Sequence, residues 1–130
     1  MKWQFRNDMP IYTQIVEQIK VAIVRGEYGS GERLPSVRDM ATEAGVNPNT
    51  MQRAMAELER EGLVFSQRTS GRQVTENLEL IKDAKLSLAA KHLESFMNAM
   101  GELGLGQDEI IKLIMTAGKG AEKNGNTDLQ

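Results

Sequence analysis

The feature that most constrains this chain is a helix stop and a helix start set three residues apart, Gly45 and Pro48. Gly45 can take the left-handed conformation that closes a helix. Asn47 can cap the next helix, and Pro48 suits its first position, where a missing N–H removes no bond. On the near side, Val37, Met40, Ala41 and Ala44 recur at helical spacing behind Ser36, with Asp39 three residues on in a variant of the capping box. On the far side, Met51, Ala54, Met55 and Leu58 fall at i, i+3, i+4 and i+7 before Gly62 ends the run. Two helices joined by Ala44-Gly45-Val46-Asn47 make a helix–turn–helix unit.

The flanking segments read as further helices and a hairpin. Met9-Pro10-Ile11 opens a helix with proline at its first position, and Ile11, Ile15, Ile19 and Ile23, with Val16 and Ala22 beside them, form its apolar stripe. It stops near Arg25-Gly26. Leu34-Pro35 is an extended pair, because proline pushes its predecessor out of the helical region. Leu63 to Gln67 and Arg72 to Thr75 read as two short strands around a turn at Arg68-Thr69-Ser70-Gly71. A long helix is expected from Leu78 to Leu103, broken by Gly104 and Gly106, and then a second apolar helix with Glu109 at its third position and Leu105 stapled to Ile110. From Gly118 the chain turns polar, and a fraying tail is expected over 118–130. The expected architecture is therefore mainly α with a small β-hairpin wing. A winged helix–turn–helix domain spans 1–75, and a two-helix segment spans 76–117.

Composition excludes several kinds of function. The 130 residues include no cysteine, which removes disulfides, thiolate metal sites and thiol nucleophiles. The single histidine, His92, removes a His-rich metal site and leaves no support for a Ser-His-Asp triad. No phosphate-binding or dinucleotide-binding glycine loop is present, so no enzyme, cofactor or metal is expected. No apolar run reaches the ~18 residues of a membrane span, and no signal-peptide core is visible at the start, so a cytoplasmic protein with no membrane partner is expected. His92 sits between Leu88 and Phe96 at one-turn intervals and reads as a packed or interfacial residue.

The formal charge of −2 looks wrong for a nucleic-acid binder, but charge is unevenly distributed. All eight arginines precede residue 75, where ten cations face nine acids, whereas residues 76–130 carry six lysines against nine acids. Arginine is the fork-shaped donor that suits phosphates and guanine edges. The second helix of the helix–turn–helix presents Asn49, Thr50, Gln52 and Arg53 near its N-terminus, where side chains can reach a major groove. Arg68 and Arg72 flank the Ser-Gly turn of the hairpin, as a wing along a DNA backbone would need. Arg38 stands at the second position of its helix, where a cation opposes the dipole, a hint of an external anion. Structural alternatives stand beside these readings. Arg53 can pair with Glu57 one turn on, Asn47 and Ser36 are first of all caps, and Gly71 can serve the turn alone.

The runs Gly31-Glu32-Arg33-Leu34-Pro35-Ser36-Val37-Arg38-Asp39-Met40-Ala41, Gly45-Val46-Asn47-Pro48-Asn49-Thr50-Met51 and Leu58-Glu59-Arg60-Glu61-Gly62-Leu63 together resemble the winged-helix domain of GntR-family transcription regulators. Pro10-Ile11-Tyr12-Thr13-Gln14-Ile15 and Val46 to Thr50 resemble its YtrA-type subfamily in particular, and the short rear fits that subfamily. The resemblance covers roughly residues 4–75. It implies a sequence-specific regulator, a repressor, that binds a palindromic double-stranded operator as a homodimer. It places DNA contacts at Arg38, Asn49, Thr50, Arg53 and Gly71, and with Ser36, Asn47, Arg68 and Arg72 from the reading of the residues themselves these make up the expected DNA-binding set. The chain departs from the family in two places. Its wing has one glycine and no aromatic residue over Arg68 to Val74, and Met55 stands where the subfamily often has tyrosine.

A near-neutral domain needs two heads on one duplex to bind tightly. The dimer contact is expected from Ile81, Leu88, Phe96, Met100, Ile110, Ile111 and Ile114, more apolar surface than two lone helices can hide; the alternative is that these residues cover the winged domain of their own chain. An unidentified small-molecule effector would then sit between the rear helices or at the dimer junction. The competing function is a winged-helix adaptor that binds protein and not DNA, suggested by the negative net charge and the apolar rear.

Overall fold

The structure, a computed structural model, describes residues 1–69 and 71–129, with side chains described up to Gly118. Its elements run α1 (Ile11–Val24), α2 (Val37–Ala44), α3 (Pro48–Arg60), β1 (Val64–Gln67), β2 (Gly71–Val74), α4 (Leu78–Glu102) and α5 (Gln107–Leu129). The chain divides into two compact units, Met1–Leu88 and Ala89–Gln130. The boundary lies inside α4. Leu80, Ile81 and Ala84 from its first turns pack on the core of the front unit.

That core is built from the expected stripes. Ile15, Ile19 and Ile23 of α1, Met40 and Ala41 of α2, and Met51, Ala54, Met55 and Leu58 of α3 are all buried, closed by Leu63, Val64 and Val74 of the hairpin region. Met51, Met55 and Leu58 have no exposed surface at all, so unbranched methionines fill the space between α3 and its neighbours. Ile11 falls outside this set and lies at the surface, because it sits at the very start of α1. Pro10 occupies the N-cap position rather than the first helical turn, with an extended ψ of 140°.

Local chemistry fixes the helix–turn–helix. The Ser36 hydroxyl oxygen accepts from the Asp39 N–H at 3.1 Å and starts α2. Gly45 ends α2 at φ 71°, with its N–H on Thr42 O and the Val46 N–H on Ala41 O at 3.0 Å. The Asn47 side-chain oxygen accepts from the Asn49 N–H at 2.7 Å, and Pro48 opens α3. The two strands pair antiparallel, with Val64 opposite Val74 and Gln67 opposite Gly71. A third extended segment joins them, because Arg33 bridges to Gln73 and the Leu34 N–H donates to Arg72 O at 2.9 Å. The Leu34-Pro35 pair thus ties the hairpin to the start of α2.

The sequence gives no signal for the arm before α1. The Gln14 side chain, buried at 5% exposure, accepts from the Arg6 N–H and donates to the carbonyls of Arg6 and Met9. Trp3 and Phe5 stack at 6.1 Å and pack on the core.

In the rear unit, α4 closes with the Leu105 N–H on Met100 O and the Gly104 N–H on Gly101 O. The Glu109 carboxylate accepts from the Gly106 N–H at 3.2 Å, as its place in the first turn of α5 suggested. Ile110 is buried at 3% exposure. α5 passes through Gly118, where the sequence reading ended the helix. Glycine keeps its N–H, so a helix can run through it at a cost of about 1 kcal/mol. The side chains of the expected tail lie outside the described residues. His92 is exposed rather than packed within its own chain. Among the described residues no helix is long and apolar enough to cross a membrane.

Candidate nucleic-acid interface

A groove opens between the N-terminus of α2, the exposed face of α3 and the hairpin. Its walls include Arg33, Ser36, Arg38, Gln52, Gln67 and Gly71. The tie from Arg33 to Gln73 positions the hairpin wall, and the caps of α2 and α3 position the other two.

The arginines divide sharply. Arg6 is paired with Asp8, Arg60 with Glu57, and Arg72 with Glu59. Arg33, Arg38 and Arg68 are exposed, and among the described residues their guanidinium groups have no ion-pair or hydrogen-bond partner. Arg38 is the clearest case, an unpaired cation in the first turn of α2, on the positive end of the helix dipole. The sequence reading passed over Arg33, which reaches the same groove and lies along Gly71. A Cβ at Gly71 would sit 3.7 Å from the Arg33 Nε, and Gly71 holds φ 74° as the first residue of β2. The signal was available in the extended Leu34-Pro35 pair, which had to run beside something.

Arg53 does not make the pair with Glu57 that the sequence allows. Arg60 takes Glu57 instead, with its Nε 2.9 Å from that carboxylate, and this bond holds the Glu57 carboxyl below the usual glutamate range. The Arg53 guanidinium lies over the Tyr12 ring, 3.7 Å from its centroid.

Arg72 also lines the groove, but it is paired with Glu59. Its Nε donates to the Glu59 Oε1 at 2.6 Å, and its side chain is 20% exposed. The same oxygen accepts from the Ser66 hydroxyl. Ser66 and Arg72 are cross-strand partners, so one carboxylate from the end of α3 grips both strands of the hairpin. Glu59 sits below the ordinary glutamate value, first because of Ser66 and then because of Arg72.

Asn47 and Ser36 act as caps, yet each keeps a donor. The Asn47 amide NH₂ and the Ser36 hydroxyl hydrogen are not needed by the bonds that start the helices. Asn49, Gln52 and Arg53 are exposed and Thr50 is half-buried on α3. No group of His, Asp and Glu that could hold a metal occurs among the described residues.

The apolar residues expected at a dimer contact divide between several environments. Ile81 packs on the core of the winged unit, which is the alternative weighed for the whole set. Leu88 and Ile110 are buried, Phe96 and Met100 are half-buried, and Ile111 and Ile114 are each 49% exposed. Leu93, Leu103, Leu113 and Met115 are exposed as well.

Residues 11–74 match the family described as bacterial regulatory proteins, gntR family. The chain is 43% identical over 117 residues to the uncharacterized HTH-type transcriptional regulator YhcF of Bacillus subtilis, covering 90% of this chain and 97% of that one. It is 34% identical to the HTH-type transcriptional repressor YtrA of the same organism, covering 92% and 95%. A GntR family transcriptional regulator from Listeria monocytogenes superposes with a TM-score of 0.80 at 38% identity, over 86% of this chain and 98% of the other. The chain carries a capped helix–turn–helix with a hairpin tied beside it, and the family match and these relatives show that it belongs to the GntR family of DNA-binding transcriptional regulators.

Proposed function

We propose that this regulator is a cytoplasmic repressor that grips a palindromic operator as a homodimer, with α3 in the major groove and the hairpin along the backbone. The observation that carries this reading is the unpaired Arg38 at the start of α2, sharing a groove with Arg33 and with Gln52 of α3. A cation left without a partner where the helix dipole disfavours it is stabilised by a phosphate from outside. Asn49, Thr50, Gln52 and Arg53 would read base edges. Arg33, Arg38 and Arg68 would hold phosphates, and Gly71 would let the wing approach closely. Asn47 and Ser36 would add their spare donors at the helix starts. Arg72 supports the wing through Glu59.

The dimer rests on the exposed stripe of α5, where Ile111, Ile114 and Met115 follow at i, i+3 and i+4. Leu93, Leu103 and Leu113 extend the apolar surface of the rear unit. Two symmetry-related α3 helices would then sit ~34–36 Å apart, or at a multiple of that spacing, on one face of the duplex. The test is binding to an inverted-repeat duplex, selected from random sequence, as salt is raised. The expected plot of log K against log salt is steep, by ~0.9 for each phosphate neutralised. A flat plot refutes the reading and favours an adaptor that binds protein.

A further inference from the structure

The contact between Arg53 and Tyr12 has no place in the reading so far. Tyr12 lies in the first turn of α1, half-buried, while Arg53 is exposed on α3 and shares a face with Asn49 at i−4 and Thr50 at i−3. The guanidinium carbon sits 3.7 Å from the ring centroid, within the range of a cation–π contact. The acid one turn on, Glu57, is occupied by Arg60, so the ring is the partner that holds Arg53.

The geometry points to Tyr12 as a positioning residue for Arg53, which aims the arginine fork at a base edge in the operator. Three physical arguments support this. A ring attracts a guanidinium through its face and leaves the N–H donors, which lie in the guanidinium plane, free for a second partner. An anionic partner such as a carboxylate would have consumed those donors and cancelled the charge. Holding a rotamer-rich side chain in place before DNA arrives also removes part of the ordering cost of binding. A helical side chain leans toward the helix N-terminus, so Arg53 reaches toward the end of α3 that carries Asn49 and Thr50. The selectivity of the recognition helix would thus depend on a residue of α1.

This inference rests on the DNA-binding reading proposed above, and the experiment separates the two. The full chain and its Y12F, Y12L, R53A and Y12L/R53A variants are titrated by fluorescence anisotropy. The probes are a duplex selected from random sequence with the wild-type protein and a shuffled duplex of equal composition. Thermal melts accompany each variant. Y12F keeps the ring face and should retain the wild-type preference within about twofold. Y12L keeps apolar bulk, removes the face, and should lose about fivefold on the selected duplex with little change on the shuffled one. In the R53A background, Y12L should have no further effect, the signature of coupled residues. Y12F falling as far as Y12L overturns the inference, because the hydroxyl would then be the active group. Equal losses on both duplexes, or full additivity with R53A, also overturn it. A Y12L variant that keeps the wild-type preference overturns the inference alone. A wild-type protein that does not prefer its selected duplex overturns the regulatory reading and this inference together.

Discussion

The pairing of Arg72 on the hairpin with Glu59 should make it behave on DNA unlike Arg38 at the start of α2. Arg38 is exposed and unpaired, whereas Arg72 is bound to Glu59 at 2.6 Å with only a fifth of its side chain exposed. A phosphate contact contributes ~0.9 to the slope of log K against log salt. R38A should therefore flatten that slope by ~0.9, and its binding deficit should shrink about 3.5-fold between 50 and 200 mM salt. R72A removes the link between α3 and β2 and leaves the Ser66 bond to β1, so it is expected to act as the loss of a strut and not of a phosphate contact. A charge-assisted bond of this kind contributes ~1.5–3 kcal/mol when well buried, and partial exposure reduces that to about 1. Affinity should fall about fivefold at every salt concentration, on a line parallel to the wild type. Fluorescence anisotropy on one selected duplex at several salt concentrations measures both slopes. If R72A flattens the slope as much as R38A does, Arg72 leaves Glu59 for a phosphate in the complex and the strut argument is refuted.

The Glu59 carboxyl is held below its ordinary value near 4.5, so its contribution to the fold is complete above that pH and is lost as the solution becomes more acidic. Acid titration should loosen the wing only below pH ~4.5, and S66A should move that transition upward, as followed by amide exchange of β1 and β2. G45A forces an L-residue to φ 71° with nothing crowding its Cβ, so a loss of about 1 kcal/mol in chemical denaturation is expected from the backbone alone. I114E introduces a charge into the exposed stripe of α5 and should convert a dimer to a monomer in light scattering, leaving the helix content intact.

The winged unit was legible because its punctuation is local. Ser36, Gly45, Asn47 and Pro48 act on residues within four positions of themselves, and the structure uses each as its chemistry suggests, so the boundaries of α2 and α3 follow directly. The buried face of α3 was equally plain, because a repeat at i, i+3, i+4 and i+7 has one helical reading. What escaped notice depends on residues distant in sequence. Nothing near Arg72 marks Glu59 as its partner thirteen positions earlier, and nothing near Arg53 marks Tyr12 in another helix. The diversion of Glu57 to Arg60 shows why charge spacing alone is weak, since two arginines stood within one turn of the same acid. The rear helices were readable as helices but not as surfaces, because an apolar residue such as Ile81 looks the same whether it covers its own domain or waits for another chain.

The face proposed to meet DNA and the face that holds the domain together lie on opposite sides of α3. Met51, Ala54, Met55 and Leu58 are buried, whereas Asn49, Gln52, Arg53 and Ala56 contribute nothing to the interior. Exchanging the outward set is therefore free of the packing penalty that any change to the inward set incurs. If that outward face reads the operator, as proposed, its sequence preference can change while the interior that folds the domain stays the same.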